Sequence, residues 1–213
     1  MKQEEIYLKI ETRLPDYDIF ENAIMKSIHE NYFILVYQSI YNQIGYDNFS
    51  NQKFNTEDFK SFLTKNNFVD LVNEMYRTRI SSKGMENIRH LVQQVDSFDD
   101  YEKALMIFEK SDRRNLNGTV IKPSPWSFGT KLLHFYNPQE NPILDTIVRD
   151  NLKIGYMDAK VCMEFRKAAN CFINKHDDYF DKIAKSENIK KELGERYIPI
   201  PFSKMGLLDM ALY

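Results

Sequence analysis

Cysteine, glycine and proline are all scarce in this chain: two, seven and seven among 213 residues. Two cysteines are too few for a disulfide framework, a four-cysteine metal site or an iron–sulfur cluster. Cys162 and Cys171 fall in a helical pattern and are expected to be core or half-buried thiols. So little glycine and proline argues against a turn-dense β protein. No run reaches the roughly 18 apolar residues of a membrane span, and the opening MKQEEIYLKI has no apolar signal core. A reduced, cytoplasmic protein without membrane contact is expected. An excess of charge is also missing. Lys and Arg number 29 against 31 Asp and Glu, a net of −2, which counts against a dedicated non-specific DNA binder. A local basic patch still acts under such a total. His29, His90, His134 and His176 show no HExxH or paired spacing, so neither a metal site nor a cofactor is expected.

Aromatic residues are plentiful: 15 Phe and 13 Tyr favour long helices around aromatic-rich cores. The length suits one large domain or two small lobes sharing a cleft. Residues 1–16 contain a short alternating piece, EIYLKI, read as a strand or an extended arm ended by Pro15. Phe20, Ile24, Ile28, Phe33, Val36 and Ile40 then predict a long or broken helix over 17–43. Thr56 is the expected cap of the next helix, with acids in its first turn. Further helices are expected over 69–79, 85–95 and 101–109. Residues 111–125, with a glycine, two prolines and several Asn or Asp, suit a mobile loop or lobe connection. Later helices are predicted over 157–174, from Asp177 through about Lys191, and after Ser203, with 197–201 extended by its prolines. About ten helices and no repeat make an all-α protein.

The stretch from Pro123 to Leu152 carries the chemistry. It reads as a tight turn from Pro125 to Gly129, a helix from Thr130, a break at Asn137-Pro138 and a helix beginning at Asp145. Lys131 then falls in the first turn of one helix and Asp145 at the N-cap of the next. Backbone N–H groups at Gly129 and Thr130 would suit a phosphate. The plainer alternative makes Gly129 a turn residue, Lys131 a solvated lysine and Asp145 a cap contributing about 1 kcal/mol. Pro142 forces extension, so the chain crosses the end of the first helix and brings the Asp145 carboxylate to a fixed place. A lysine that faces such a carboxylate has both the nucleophile and the acceptor for its proton. Arg113, Arg114 and Lys122 form a small basic cluster beside the turn, suited to phosphate. His134 follows Lys131 by about one turn and is expected in the pocket wall or, satisfied, in the core.

The string GTKLLHFYNPQENPILDTIV resembles the core of the helix-hairpin-helix DNA glycosylase superfamily, which includes endonuclease III and the 8-oxoguanine glycosylases. Gly129, Thr130 and Lys131 match the end of that family's hairpin, and Pro142, Asp145, Thr146 and Val148 match the later segment. Ser127 stands where the hairpin's first glycine is usual and Trp126 where its proline is, and the 14 residues from Lys131 to Asp145 are a shorter interval than the family's.

The resemblance implies a two-lobed helical fold as one globular unit over 1–213. Residues 17–110 would form mainly the first lobe, 123–152 the hairpin and catalytic-type segment, and 153–213 the rest of the second lobe. It also implies double-stranded DNA as partner and base excision on a flipped damaged base. Lys131 would be the nucleophile forming a Schiff base, and Asp145 its proton acceptor. Ser127, Gly129 and Thr130 would hold phosphate with the basic cluster, while Trp126, Phe128 and His134 would be pocket or wedge residues. A catalytically inactive member that binds DNA or a protein, and a helical scaffold, remain alternatives.

Overall fold

The structure is a computed structural model and describes residues 1–45, 54–65, 67–78, 80–110, 126–195 and 202–213. Among the described residues there are helices and turns and no strand. The helices are α1 (Gln3–Arg13), α2 (Tyr17–Gly45), α3 (Thr56–Lys65), α4 (Phe68–Met75), α5 (Ser82–Gln93), α6 (Tyr101–Met106), α7 (Trp126–Tyr136), α8 (Thr146–Asn151), α9 (Ala159–Lys175), α10 (Asp177–Lys185), α11 (Glu187–Glu195) and α12 (Lys204–Leu212). A 3₁₀ turn, Ile107–Lys110, extends α6. No described helix is long and apolar enough to cross a membrane.

The alternating piece at the N-terminus is a helix, not a strand. A strand would put Ile6, Leu8 and Ile10 on one face. The fold instead buries Ile6, Ile10 and Leu14, at helical spacing, and leaves Leu8 59% exposed. That buried stripe seats α1 on α9. The long second helix is present and kinks at Asn31, whose side chain donates to Ser27 Oγ one turn back. Asn55, rather than Thr56, caps α3: its Oδ1 accepts the Asp58 N–H at 2.9 Å. The Thr56 hydroxyl accepts the Phe98 N–H instead. The helix expected from Asp177 to Lys191 breaks at Ser186, whose extended backbone starts a new turn. Cys162 is buried, with burial pushing its thiol up to about 12, whereas Cys171 is exposed rather than half-buried.

Packing sorts the helices into two groups. The helices α3 to α7 pack on one another around a cluster of rings. Phe59 meets Phe98 and Tyr136 at 5.0 and 5.3 Å between centroids, and Phe68 meets Phe135 at 4.8 Å. The second group is α1, α2 and α8 to α12. The α2 helix, expected with the first lobe, packs on α10, α11 and α12. Both α6 and α7 also touch α9, so α7 runs along the seam.

Gly129 lies inside α7 and lets it approach the preceding turn. A Cβ built there would stand 2.7 Å from Phe108 Cδ2 and 3.2 Å from Leu105 Cδ1. Alanine favours a helix interior over glycine by about 1 kcal/mol. Overpacking a filled core against a ring typically costs about 1–3 kcal/mol. The Gly129→Ala variant should therefore be less stable by up to about 2 kcal/mol, read as a lower urea midpoint at unchanged slope. A midpoint that rises would show that Phe108 yields freely.

Candidate functional site

The helix carrying the candidate nucleophile starts earlier than its sequence suggests. Residues 126–129 are the beginning of α7, not the end of a tight turn. Lys131 therefore sits in the second turn, on the seam between the two helical groups. Gly129 and Thr130, expected to face a phosphate, are buried within the helix. Four aromatic or aliphatic residues of this helix (Phe128, Leu132, Phe135 and Tyr136) face core on either side, which holds it rigidly.

The crossing from Asn137 to Asp145 is tied to α7 at two heights. Asn141 donates from its side-chain amide to the Leu133 carbonyl at 2.8 Å, while its Oδ1 accepts from Arg166 Nε at 2.9 Å. Higher up, the Thr130 hydroxyl accepts the Leu144 N–H at 3.2 Å, and its one proton has the Ser127 and Leu144 carbonyls, at 3.1 and 3.2 Å, as acceptors. Between these ties Pro142 keeps the chain extended. The two ties fix the register, and the next residue is Asp145.

Lys131 and Asp145 meet as a result. Lys131 Nζ donates to Asp145 Oδ2 at 3.1 Å and to Ser127 Oγ at 3.0 Å, and it lies 4.8 Å from the centre of the Tyr76 ring. The other carboxylate oxygen, Oδ1, accepts the Val148 N–H at 3.0 Å and so caps α8. One carboxylate thus does two jobs: helix cap and counter-ion. Lys131 is 2% exposed. Burial pushes its amine below the ordinary lysine range, opposed by the attraction of Asp145. An amine of that kind loses its proton more readily than a surface lysine.

Both groups open onto one cavity of about 440 Å³. Its other walls are Tyr76, Arg77, Thr78 and Ile80 from the loop after α4, Ser127 and Phe128 from α7, Thr146 and Ile147 from α8, and Tyr213. The Asn73 side chain braces Thr78 and Ile80 of this loop. Asn73 Oδ1 accepts the Ile80 N–H at 3.1 Å and the Thr78 hydroxyl, and Asn73 Nδ2 donates to the Ile80 carbonyl at 3.2 Å. Arg77 adopts a left-handed conformation, φ 47°, which a non-glycine residue holds only when its surroundings impose it. Arg77 lines the cavity from this loop.

The expected residues divide as follows. Lys131, Asp145, Ser127 and Phe128 come together at the cavity, Ser127 as a partner of the lysine rather than as part of a phosphate turn. Trp126 and His134 are packed in the core and do not line it. Arg113, Arg114 and Lys122 lie outside the described residues, as do Pro123 and Pro125. Reading the sequence missed Tyr76, Arg77, Ile80 and Tyr213, because the two segments that carry them are remote from Lys131 in the chain. It also missed Asp209, which had a visible signal. It is the one acid in α12, whose neighbours Leu208, Met210, Ala211 and Leu212 are all buried.

His134 Nδ1 lies 2.7 Å from the Asn141 carbonyl, so this nitrogen carries a proton and donates. Burial pushes the ring down to about 4 from its ordinary 6.5. The folded chain keeps the ring neutral while the unfolded chain takes up a proton. Stability from this group is therefore complete above about pH 6.5 and is lost as pH falls toward about 4. Its size is about 3 kcal/mol. Urea unfolding from about pH 7 to about pH 4 should show a fall that is smaller by that amount in His134→Gln. Equal pH slopes in the two proteins would contradict it.

No family model, no curated protein and no solved structure matches this chain.

Proposed function

We propose that the chain is a DNA glycosylase that uses Lys131 as an amine nucleophile on a flipped nucleotide and resolves the product as a lyase. The observation that carries this reading is the buried Lys131 amine, 3.1 Å from the Asp145 carboxylate at the wall of a shared cavity. Asp145 takes the amine proton. The free amine forms a bond to C1′ as the glycosidic C–N bond breaks, and the base leaves with the bonding pair and the proton that Asp145 took, which restores the carboxylate. Opening of the sugar ring gives a C1′=N Schiff base. Loss of a C2′ proton then expels the 3′ phosphate and cuts the strand. The carboxylate so restored opposes the positive charge on the sugar–amine adduct.

Several features support this reading. The cavity volume falls in the range of about 300–1,000 Å³ that small-molecule sites occupy. Tyr76, Phe128 and Tyr213 give it aromatic walls, and base stacking on such rings contributes about 1–3 kcal/mol per base. Arg77, a residue of the cavity lining, is a cation that suits phosphate. With a total charge of −2, attraction to DNA has to come from such local groups.

The test is direct. Duplexes carrying one oxidised purine, one oxidised pyrimidine or one abasic site are incubated with the protein and separated on a denaturing gel. Cleavage at the lesion without alkali is expected. No cleavage of any duplex without alkali, with the two base-lesion duplexes no more alkali-labile than untreated controls, would contradict the proposal. A second reading, a non-catalytic member of the same fold, draws on one observation: the amine is already held by Asp145, Ser127 and Tyr76, as in a purely structural ion pair. It predicts salt-dependent DNA binding with no base released.

A further inference from the structure

Behind the cavity lies a carboxyl group that the mechanism above does not use. Asp209, on α12, is half-buried as a residue, yet its Oδ1 is sealed from solvent and has no hydrogen-bond partner among the described residues. A small cavity of about 20 Å³ adjoins it, lined in part by Ser27, Asn31, Tyr76 and Tyr213. Tyr76 and Tyr213 also line the larger cavity that holds Lys131 and Asp145. The two hollows thus share a wall of two aromatic rings, with Asp209 on the far side. Tyr76 touches both systems, because its ring lies under the Lys131 amine.

Counting charge assigns the role. One buried ammonium needs one counter-ion, and Asp145 fills that place with a direct bond and a helix cap. Asp209 is a surplus acid. An ionised carboxylate with a dry, unpartnered oxygen is costly, so burial first, and the neighbouring Asp145 charge second, push Asp209 well above the usual carboxylate range. The charged groups acting on it are Asp145 and Lys131, and α2 contributes only the uncharged Ser27, Asn31, Ile34 and Leu35 to this wall. Tyr213, pushed up to about 12 chiefly by burial, stays neutral beside it.

We propose that Asp209 is a positioning residue of the Lys131 site, its carboxyl governing the charge carried by the Lys131 amine from behind the shared aromatic wall. As a neutral acid it leaves the amine with one carboxylate and free to discharge. Once ionised it adds a second negative charge and holds the amine as ammonium. Lys131 and Asp209 therefore titrate as a pair rather than singly. The proposal rests on Lys131 as the reactive amine, not on DNA as its substrate.

The experiment uses the full chain and a small neutral aldehyde, propionaldehyde, with cyanoborohydride. Imine formed at Lys131 is fixed by reduction and measured peptide by peptide across a pH series. In Asp209→Asn, nearly the same shape without the charge, the midpoint for Lys131 labelling should move down by about one pH unit. In Asp209→Glu it should return toward the wild-type value. An unmoved or raised midpoint in Asp209→Asn overturns the proposal, as does labelling absent from both proteins at every pH. Circular dichroism checks that the variants fold. Should they not, carboxyl carbon NMR of the wild-type chain decides the matter. One aspartate must then titrate far above the usual range, together with Lys131; ordinary titration of every aspartate overturns the proposal. A shifted midpoint with no activity on DNA would sink the glycosylase reading and leave this one standing.

Discussion

Lys131→Gln is expected to abolish the covalent complex trapped by borohydride on lesion-bearing DNA, and to lower base release by at least on the order of 10⁴-fold. Among the residues lining the cavity, Lys131 has the one amine. Arg77, the other cation there, is a delocalised guanidinium and no nucleophile. Glutamine keeps much of the length and still donates a hydrogen bond to Ser127 Oγ, so the walls should persist. It cannot form an imine. Gel-shifted complex measured after reduction reads the outcome, and undiminished trapping would place the chemistry on another amine.

Asp145→Asn should lower base release by about 10²–10⁴-fold, the usual contribution of a positioned proton acceptor. Asparagine caps a helix about as well as aspartate, so α8 should still start at Thr146. What disappears is the proton acceptor and the charge that opposes a cationic sugar–amine adduct. The same change removes the attraction that keeps the buried amine protonated. Small-aldehyde labelling of Lys131 should therefore persist and move to lower pH while activity on DNA falls. Asp145→Ala would also lose the cap, costing about 1 kcal/mol more in stability. Equal activity in wild type and Asp145→Asn would make the carboxylate a cap and nothing else.

The pairing at the centre of the site was legible because it depends on local rules. A proline-stiffened crossing that returns to the flank of its own helix needs only chain geometry, and the ties at Thr130 and Asn141 realise it. The start of α7 was misread because Pro125-Trp126-Ser127-Phe128-Gly129 has the composition of a turn. In the fold Gly129 serves close packing against Phe108. The N-terminal helix was missed because Ile6, Leu8 and Ile10 fit a two-residue period as well as Ile6, Ile10 and Leu14 fit a helical one. Only the surface of α9 decides between them. The remaining walls of the cavity come from the α4–α5 loop and from α12, long-range neighbours that no local pattern announces. The acid of α12 is the exception, since a carboxylate among buried apolar residues already asks for a reason.

The most direct measurement is the site of attachment. A duplex with one abasic site is incubated with the protein, reduced with borohydride, and digested with protease and nuclease for mass spectrometry. A sugar remnant on Lys131 alone is the predicted result. A remnant on any other amine, or none at all, would contradict it.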